Sequence, residues 1–327
     1  MKWFDIRKCL RSDCFLYIII GGRGIGKTYS ALSYLMEEKQ PFIYLRNTDT
    51  QISESASVFG NPFKRLNNDL GLDYRLESEK KHYLINEYID NQKQLRGYGA
   101  ALSTFGNLRG VDLSDVRYFI LDEFIERRTL SFKQFDAFQG FYETVNRNRE
   151  LSGEQPLTGF LLSNAQTLNN DILLGYGLVN KITQLYKDGR HSFAENGLYF
   201  EIPESGISEA KTNTANYKLI AGTDIAREYL KNEFSHDNFT NIKKMPIQEF
   251  KPLAVLTLND GSCTFYKHKS RGLIYVAMQR AWGVKIYDKQ ILFMREIGLE
   301  LRQYSIRNKI FYDSFETRLF VDKVLGC

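Results

Sequence analysis

Residues 21–28 read Gly-Gly-Arg-Gly-Ile-Gly-Lys-Thr, and Gly21, Gly26, Lys27 and Thr28 keep the spacing of a phosphate-binding loop. Backbone N–H groups in such a loop, with the amino end of the helix behind it, surround phosphate oxygens with donors. Lys27 then meets the β- and γ-phosphates of a nucleotide, and Thr28 ligates magnesium. Gly22, Gly24 and Ile25 complete the loop, Gly24 permits close backbone approach, and Arg23 adds a second positive charge. Further on, Asp122-Glu123 follows a largely apolar run over 116–121. Asp122 stands where a carboxylate holds magnesium through water, and Glu123 suits a general base that polarises water for attack on a γ-phosphate. An Asp-Glu pair alone is an ordinary surface dipeptide, and it acquires meaning from the apolar run before it and the phosphate loop upstream. No Asn-Lys-x-Asp guanine signature occurs, so ATP is the expected nucleotide. Asn164 ends another apolar run, where a polar side chain can sense the γ-phosphate. Arg147 and Arg149 close a helix, either complementing its dipole or reaching the nucleotide of a neighbouring subunit.

These groups must be carried by elements that bring them together. Residues 15–20 form a short continuous apolar run ending in glycines, which predicts a strand buried on both faces. Ala31, Leu32, Leu35 and Met36 at helical spacing predict a helix over 27–38, with Pro41 beyond it. Further strands are expected at 42–45, 116–121, 159–162 and 198–202, a hairpin at 83–89, and an irregular stretch to Leu108. Phe135, Phe138, Phe141, Tyr142 and Val145 outline a helix running toward Arg149. Strands alternating with helices indicate an α/β domain with a mainly parallel sheet, and ligands on such sheets sit at the carboxyl ends of the strands. Both motifs lie at such ends. The polar stretch 203–217 and a short helical pattern over 224–233 mark a change of regime, after which 253–258 and 263–266 form a hairpin signal around Asn259-Asp-Gly-Ser, with a third strand at 273–278. The expected division is therefore an ATPase domain over 1–202, a linker or lid over 203–235, and a small α+β domain over 236–327.

Charge and cysteines narrow the function classes. Residues 236–327 hold 15 Lys and Arg against 9 Asp and Glu, an excess of six, whereas the remainder is near neutral. That tail can face a polyanion or simply be a solvated basic surface. Cys9, Cys14, Cys263 and Cys327 are scattered, with no CxxC pair and no adjoining His, so they read as reduced and ordinary. No run approaches the roughly 18 to 20 apolar residues that cross a bilayer, and 1–7 lack a signal-peptide core, which predicts a soluble intracellular protein without a membrane partner.

The sequence resembles the genome-packaging ATPases of small phi-29-like tailed bacteriophages. The likeness rests on Gly22-Arg-Gly-Ile-Gly-Lys-Thr28, Phe42-Ile-Tyr-Leu-Arg46, Leu121-Asp-Glu-Phe-Ile125, Thr144-Val-Asn-Arg-Asn-Arg-Glu150, Leu162-Ser-Asn-Ala165, Glu201-Ile-Pro-Glu-Ser205 and Leu219-Ile-Ala-Gly-Thr-Asp224, in that order over about two thirds of the chain. It implies a P-loop NTPase domain of the additional-strand, catalytic-glutamate type, followed by a small ribonuclease-H-like domain that has lost its metal carboxylates. Asp260 is read as lying in a turn, and nuclease activity is not expected. The resemblance further implies a homo-oligomeric ring, a pentamer, that uses ATP and Mg2+ to drive double-stranded DNA through the portal of a viral procapsid, and it allows a structural RNA as a further partner. Such a motor works in the cytoplasm of the infected host, transiently at the portal, and is absent from the mature virion. On that pattern Glu123 is the catalytic carboxylate, Arg147 a finger acting in trans, Asn164 a sensor, and Arg109 a second basic residue reaching the neighbouring nucleotide. One departure is visible: where the family has a lysine in a DNA-facing loop, this chain has Asn47-Thr-Asp-Thr-Gln51. A helicase, a phage-assembly ATPase or a nucleotide-gated structural ring subunit are the alternative readings.

Overall fold

Six strands run parallel through the middle of a nine-stranded sheet, and antiparallel strands close both edges. The computed structural model describes residues 3–80, 82–108, 112–126, 130–204, 206–223, 226, 234, 237, 239–259 and 261–326. Its contacts divide the chain into two units, Met1–Gly175 with Gly189–His236, and Tyr176–Asp188 with Asp237–Cys327.

The sheet belongs to the first unit. Its strands are β1 (Leu16–Gly21), β2 (Phe42–Arg46), β3 (Tyr74–Glu79), β4 (His82–Ile89), β5 (Gln92–Ala101), β6 (Tyr118–Asp122), β7 (Thr158–Asn164), β8 (Ser192–Glu195) and β9 (Leu198–Glu201), in the order β3-β4-β5-β2-β6-β7-β1-β9-β8. β1 is buried at every position, as its unbroken apolar run requires of a strand covered on both faces. Helix α1 (Lys27–Glu38) turns Ala31, Leu32, Leu35 and Met36 onto one face, against Tyr17, Ile19, Phe160 and Leu162. Helix α4 (Gln134–Asn146) covers the other face, where Phe141 meets Phe119 edge to face at 5.0 Å between ring centres. Neighbouring Ile120 points to the α1 side, because successive strand residues alternate. Each fully buried aromatic here contributes on the order of 2–3 kcal/mol. Between β2 and β3 lie α2 (Asp49–Ser55) and α3 (Lys64–Leu70), the former opened by a capping box between Thr48 and Gln51. The Asn47–Gln51 stretch is thus the capped start of a helix.

Two edge features differ from the sequence reading. The hairpin expected at 83–89 is part of a three-stranded antiparallel unit, and β5 fills what read as an irregular stretch. β5 has no apolar run, and its glycines argue against a strand. Gly97 is nonetheless required, because a Cβ there would lie 2.1 Å from the Phe42 carbonyl oxygen of β2. Asp90 and Asn91, with φ of 49° and 61°, make the left-handed two-residue turn that joins β4 to β5. At the opposite edge β9 acquires an unforeseen partner, β8, through a turn at Asn196-Gly197.

Beyond β7, α5 (Asp171–Gly175) remains with the first unit, as do α7 (Gly206–Thr212) and α8 (Ala215–Leu219). Helix α6 (Val179–Lys187) does not, although the sequence reading places it in the first domain. Its Tyr186 stacks on Phe239, which in turn packs on Phe315, all within the second unit. That unit contains β10 (Phe250–Leu258), β11 (Gly261–His268), β12 (Ile274–Ala277), β13 (Ile286–Tyr287) and β14 (Ile310–Tyr312), in the order β13-β10-β11-β12-β14. β10 to β12 form an antiparallel meander, and β13 and β14 add parallel edges. The C-terminal helix Phe315–Leu325 packs Val321 and Leu325 into its core with Phe265 and Phe293. Asp260 and most of the helix expected over 224–233 lie outside the described residues. Among the described residues no helix is long and apolar enough to cross a membrane.

Candidate active site

The parallel strands β1, β2, β6 and β7 all end on the same side of the sheet, and their last residues carry the site. Gly21 of β1 is in register with Asn164 of β7, and Asp122 of β6 with Leu162. From Gly21 the chain passes through Gly22, Arg23, Gly24 and Ile25 to Gly26, which caps α1 in a left-handed conformation and offers no side chain to the helix amides. Gly24 and Gly26 have φ of 68° and 100°, a region that a Cβ disfavours. Ile25 is buried beneath the loop, while Arg23 and Gly24 face solvent. Lys27 is buried, and its Nζ donates to the carbonyls of Gly21 at 3.0 Å and Gly22 at 2.9 Å and to Asn164 Oδ1 at 3.3 Å. Burial pushes the Lys27 amine down to about 8, against the opposing pull of the Asp122 and Glu123 carboxylates.

Asp122 is a buried carboxylate held from two sides. Thr28 Oγ1 donates to its Oδ1 at 3.0 Å, and the Tyr44 hydroxyl to its Oδ2 at 3.0 Å. Burial raises the Asp122 pKa, despite the nearby Arg46 guanidinium. A hydroxyl and a carboxylate side by side form an oxygen donor set that fits magnesium, an ion that keeps several of its own waters. Glu123 follows with φ of 54°, an uncommon conformation for a residue with a side chain, which turns its carboxylate toward solvent. There Arg46 Nη2 pairs with Glu123 Oε2 at 2.6 Å, while Nη1 lies 3.8 Å from Asp122 Oδ2.

Buried amides hold the strained turn at Glu123. Asn47 is fully buried, and its Nδ2 donates to Glu126 Oε1 at 2.8 Å, to the Glu123 carbonyl at 3.1 Å and to the Phe124 carbonyl at 3.3 Å. Gln134, the first residue of α4, donates to Asn47 Oδ1 at 2.7 Å and to the Phe124 carbonyl at 2.6 Å, and accepts from Asn170 at 2.7 Å. A satisfied buried network of this kind fixes one arrangement, and deleting a member strands its partners. Asn47→Ala should cost about 2–3 kcal/mol, several degrees in the Tm of the first unit, and should lower turnover more than nucleotide affinity. Thermal melts and steady-state kinetics check this, and an unchanged Tm with unchanged kcat would remove the network from the account. Tyr44, Arg46, Asn47, Gln134 and Asn170 are the residues that sequence reasoning did not assign to the site.

A model of the podovirus DNA encapsidation protein (Gp16) family matches residues 2–309. The chain belongs to that family. The DNA packaging proteins of Bacillus phages phi29 and PZA are each 26% identical to it over 285 residues, covering 84% of this chain and 78% of theirs. Among solved structures, the bacteriophage Phi-29 viral genome packaging motor assembly aligns with a TM-score of 0.69 at 20% identity, over 99% of this chain and 98% of that one. The N-terminal domain of the DNA packaging ATPase from bacteriophage phi29 aligns at 0.50 with 24% identity, over 62% of this chain and 97% of that one. At these identities the structures speak for the fold, and the first unit has that of a P-loop NTPase. The chain is accordingly a DNA encapsidation protein of the phi29 type.

The two arginines of this encapsidation protein lie in different surroundings. Arg149 is buried, and its Nη2 donates to the Ser114 carbonyl at 3.1 Å. Arg147 is half exposed, with φ of 49°, its Nε donating to the Thr144 carbonyl at 3.3 Å and its Nη1 3.9 Å from Asp112 Oδ1. Neither stands beside the phosphate loop of its own chain. Asn146, next to Arg147, accepts from Leu157 N at 2.7 Å just before β7 begins, whereas Lys27 meets Asn164 at the far end of that strand. Seven residues of extended chain separate the two ends, roughly 20 Å. Arg109 lies outside the described residues.

Proposed function

We propose that this encapsidation protein binds ATP with magnesium at the carboxyl ends of β1, β6 and β7, hydrolyses it, and uses the cycle to drive double-stranded DNA through the portal of a procapsid. The observation that carries the reading is the convergence of Lys27, Thr28, Asp122, Glu123 and Asn164 around one uncapped helix start. The loop amides from Gly22 to Thr28 and the Lys27 amine hold the phosphates. Thr28 and Asp122 would hold magnesium, which when bound neutralises charge on the phosphate oxygens. Glu123 accepts the proton of the water that attacks the γ-phosphorus, and ADP departs with the bridging oxygen. While paired with Arg46 the carboxylate is turned to that guanidinium, so the base becomes available when the pair opens. Asn164 reports occupancy along β7 through its contact with Lys27.

What supports a site shared between subunits is that Arg147 follows Asn146, which bonds beside the start of β7, while the phosphate loop meets the far end of that strand, roughly 20 Å along it. An arginine there completes a pocket only in a neighbour, which calls for a homo-oligomeric ring, a pentamer in this reading, seated on the portal in the host cytoplasm and absent from the mature virion. Residues 203–235 serve as linker or lid, and the basic tail faces DNA, portal or a structural RNA. The direct test is the ATPase rate of the purified protein with and without double-stranded DNA. Hydrolysis that DNA accelerates supports the motor, whereas nucleotide binding without turnover in either condition would leave a nucleotide-gated ring subunit.

A further inference from the structure

Behind the loop, the segment that follows β9 comes back over the phosphate site. Pro203 already crowds Gly21, where a Cβ would lie 3.0 Å from its Cδ. Eight residues on, Lys211 in α7 reaches the loop itself and donates from Nζ to the Arg23 carbonyl. A Cβ on Gly24 would lie 2.9 Å from that Nζ, so the amine fits against the loop only because Gly24 has no side chain. Arg23, Lys27 and Lys211 surround a five-residue turn, and the positive charge of Lys211 works against that of Lys27. The nearby carboxylates are already occupied, Asp122 by Thr28 and Tyr44 and Glu123 by Arg46. Burial and the adjoining Arg23 both lower the Lys211 pKa, in keeping with an amine that donates to a neutral carbonyl. A polyphosphate chain lying in the loop would offer Lys211 an anionic acceptor in place of the Arg23 carbonyl, and a lysine amine moves from a carbonyl to a phosphate oxygen by rotation of its flexible stem.

We infer that Lys211 is a phosphate contact of the nucleotide site, contributed by the segment after β9 and not by the loop motif or the strand ends. It resets from the Arg23 carbonyl onto the polyphosphate of a bound nucleoside triphosphate, tying that segment to the occupied loop. The inference rests on the proposed nucleotide site and adds a residue to it.

The test is equilibrium binding of a fluorescent ATP analogue to the full-length protein, with Lys211→Ala, Lys211→Arg and Lys27→Ala measured side by side. Lys211→Ala should raise Kd about tenfold, the scale of one lost charged phosphate contact, and Lys211→Arg should stay within about threefold of wild type. Inorganic tripolyphosphate should compete with the analogue, and its inhibition constant should rise by the same factor in Lys211→Ala, which shows that the loss concerns phosphate. If Lys211→Ala binds like wild type while Lys27→Ala does not, the inference is overturned and the site stands. If Lys27→Ala also binds normally, the site reading fails and takes this inference with it. Lys211→Met keeps the apolar stem and gives the same readout should the alanine variant melt early.

Discussion

Lys27→Ala should lose ATP binding by about two orders of magnitude, while Glu123→Gln should bind ATP almost normally and turn it over about 10³-fold more slowly. The difference follows from where each side chain sits. Lys27 is buried at the base of the loop, in contact with two loop carbonyls and Asn164, so its removal takes away both the phosphate partner and part of the scaffold. Glu123 is exposed beyond the strand end and touches neither the loop nor the Thr28–Asp122 pair, so its amide isostere leaves those contacts in place. The substitution removes the base and the charge that engages Arg46, and nothing that holds phosphate. Binding of a fluorescent ATP analogue and release of inorganic phosphate measure the two effects separately. Equal loss of binding in both variants, or turnover by Glu123→Gln within a few-fold of wild type, would remove Glu123 from the role of base.

Arg147→Ala should bind ATP and fail to hydrolyse it, with a loss in the range of about 10³ to 10⁵, because an arginine finger acts on charge that develops in the transition state. The contacts of the Arg147 side chain with Thr144 and Asp112 are exposed and long, so the alanine variant should melt within a few degrees of wild type. The decisive measurement mixes the two inactive proteins. A ring containing Arg147→Ala and Glu123→Gln subunits has some interfaces at which an intact Glu123 pocket faces an intact Arg147, and part of the activity should return. If mixed rings assemble and hydrolysis remains at background, dilution decides: a wild-type monomer that stays active places the arginine in its own pocket. Specific activity that falls as rings dissociate keeps it at the interface.

The loop and the Asp122-Glu123 pair were legible because each follows an apolar run that can only be a buried strand, and a strand end fixes where the next side chain stands. The surrounding groups were not. Tyr44 and Arg46 belong to β2, which read simply as a strand over 42–45, and nothing in an apolar pattern shows that a tyrosine hydroxyl will reach a carboxylate 78 positions away. Asn47 and Gln134 join only when β2, β6 and α4 are assembled, so neither has a signal of its own. Arg147 is named on the family resemblance, because the apolar pattern does not distinguish it from Arg149; burial sets the two apart, Arg149 being buried and Arg147 exposed. β5 was hidden because its glycines serve close approach to β2 while removing the apolar pattern that marks a strand. Helix α6, which the sequence reading did not single out, fell inside the expected 1–202 domain for a related reason, its ring contacts lying more than fifty residues downstream.

Helix α4 begins at the Phe124 carbonyl, beside the strained Glu123 turn, and ends at Arg147. Its 13 residues make a rod about 20 Å long, and a tilt of about six degrees about its middle displaces each end by about 1 Å. A displacement of that size can change a rate by about a hundredfold when the moving group must meet a transition state. With Arg147 serving the next pocket as proposed, α4 is a lever whose fulcrum is the aromatic pack of Phe119, Phe138 and Phe141. If each subunit of such a ring points its lever at a single neighbour, the geometry has a handedness. A change in one pocket is delivered to the next subunit in one sense around a ring and not to the subunit before it, so firing order would follow from helix placement without any separate timing element.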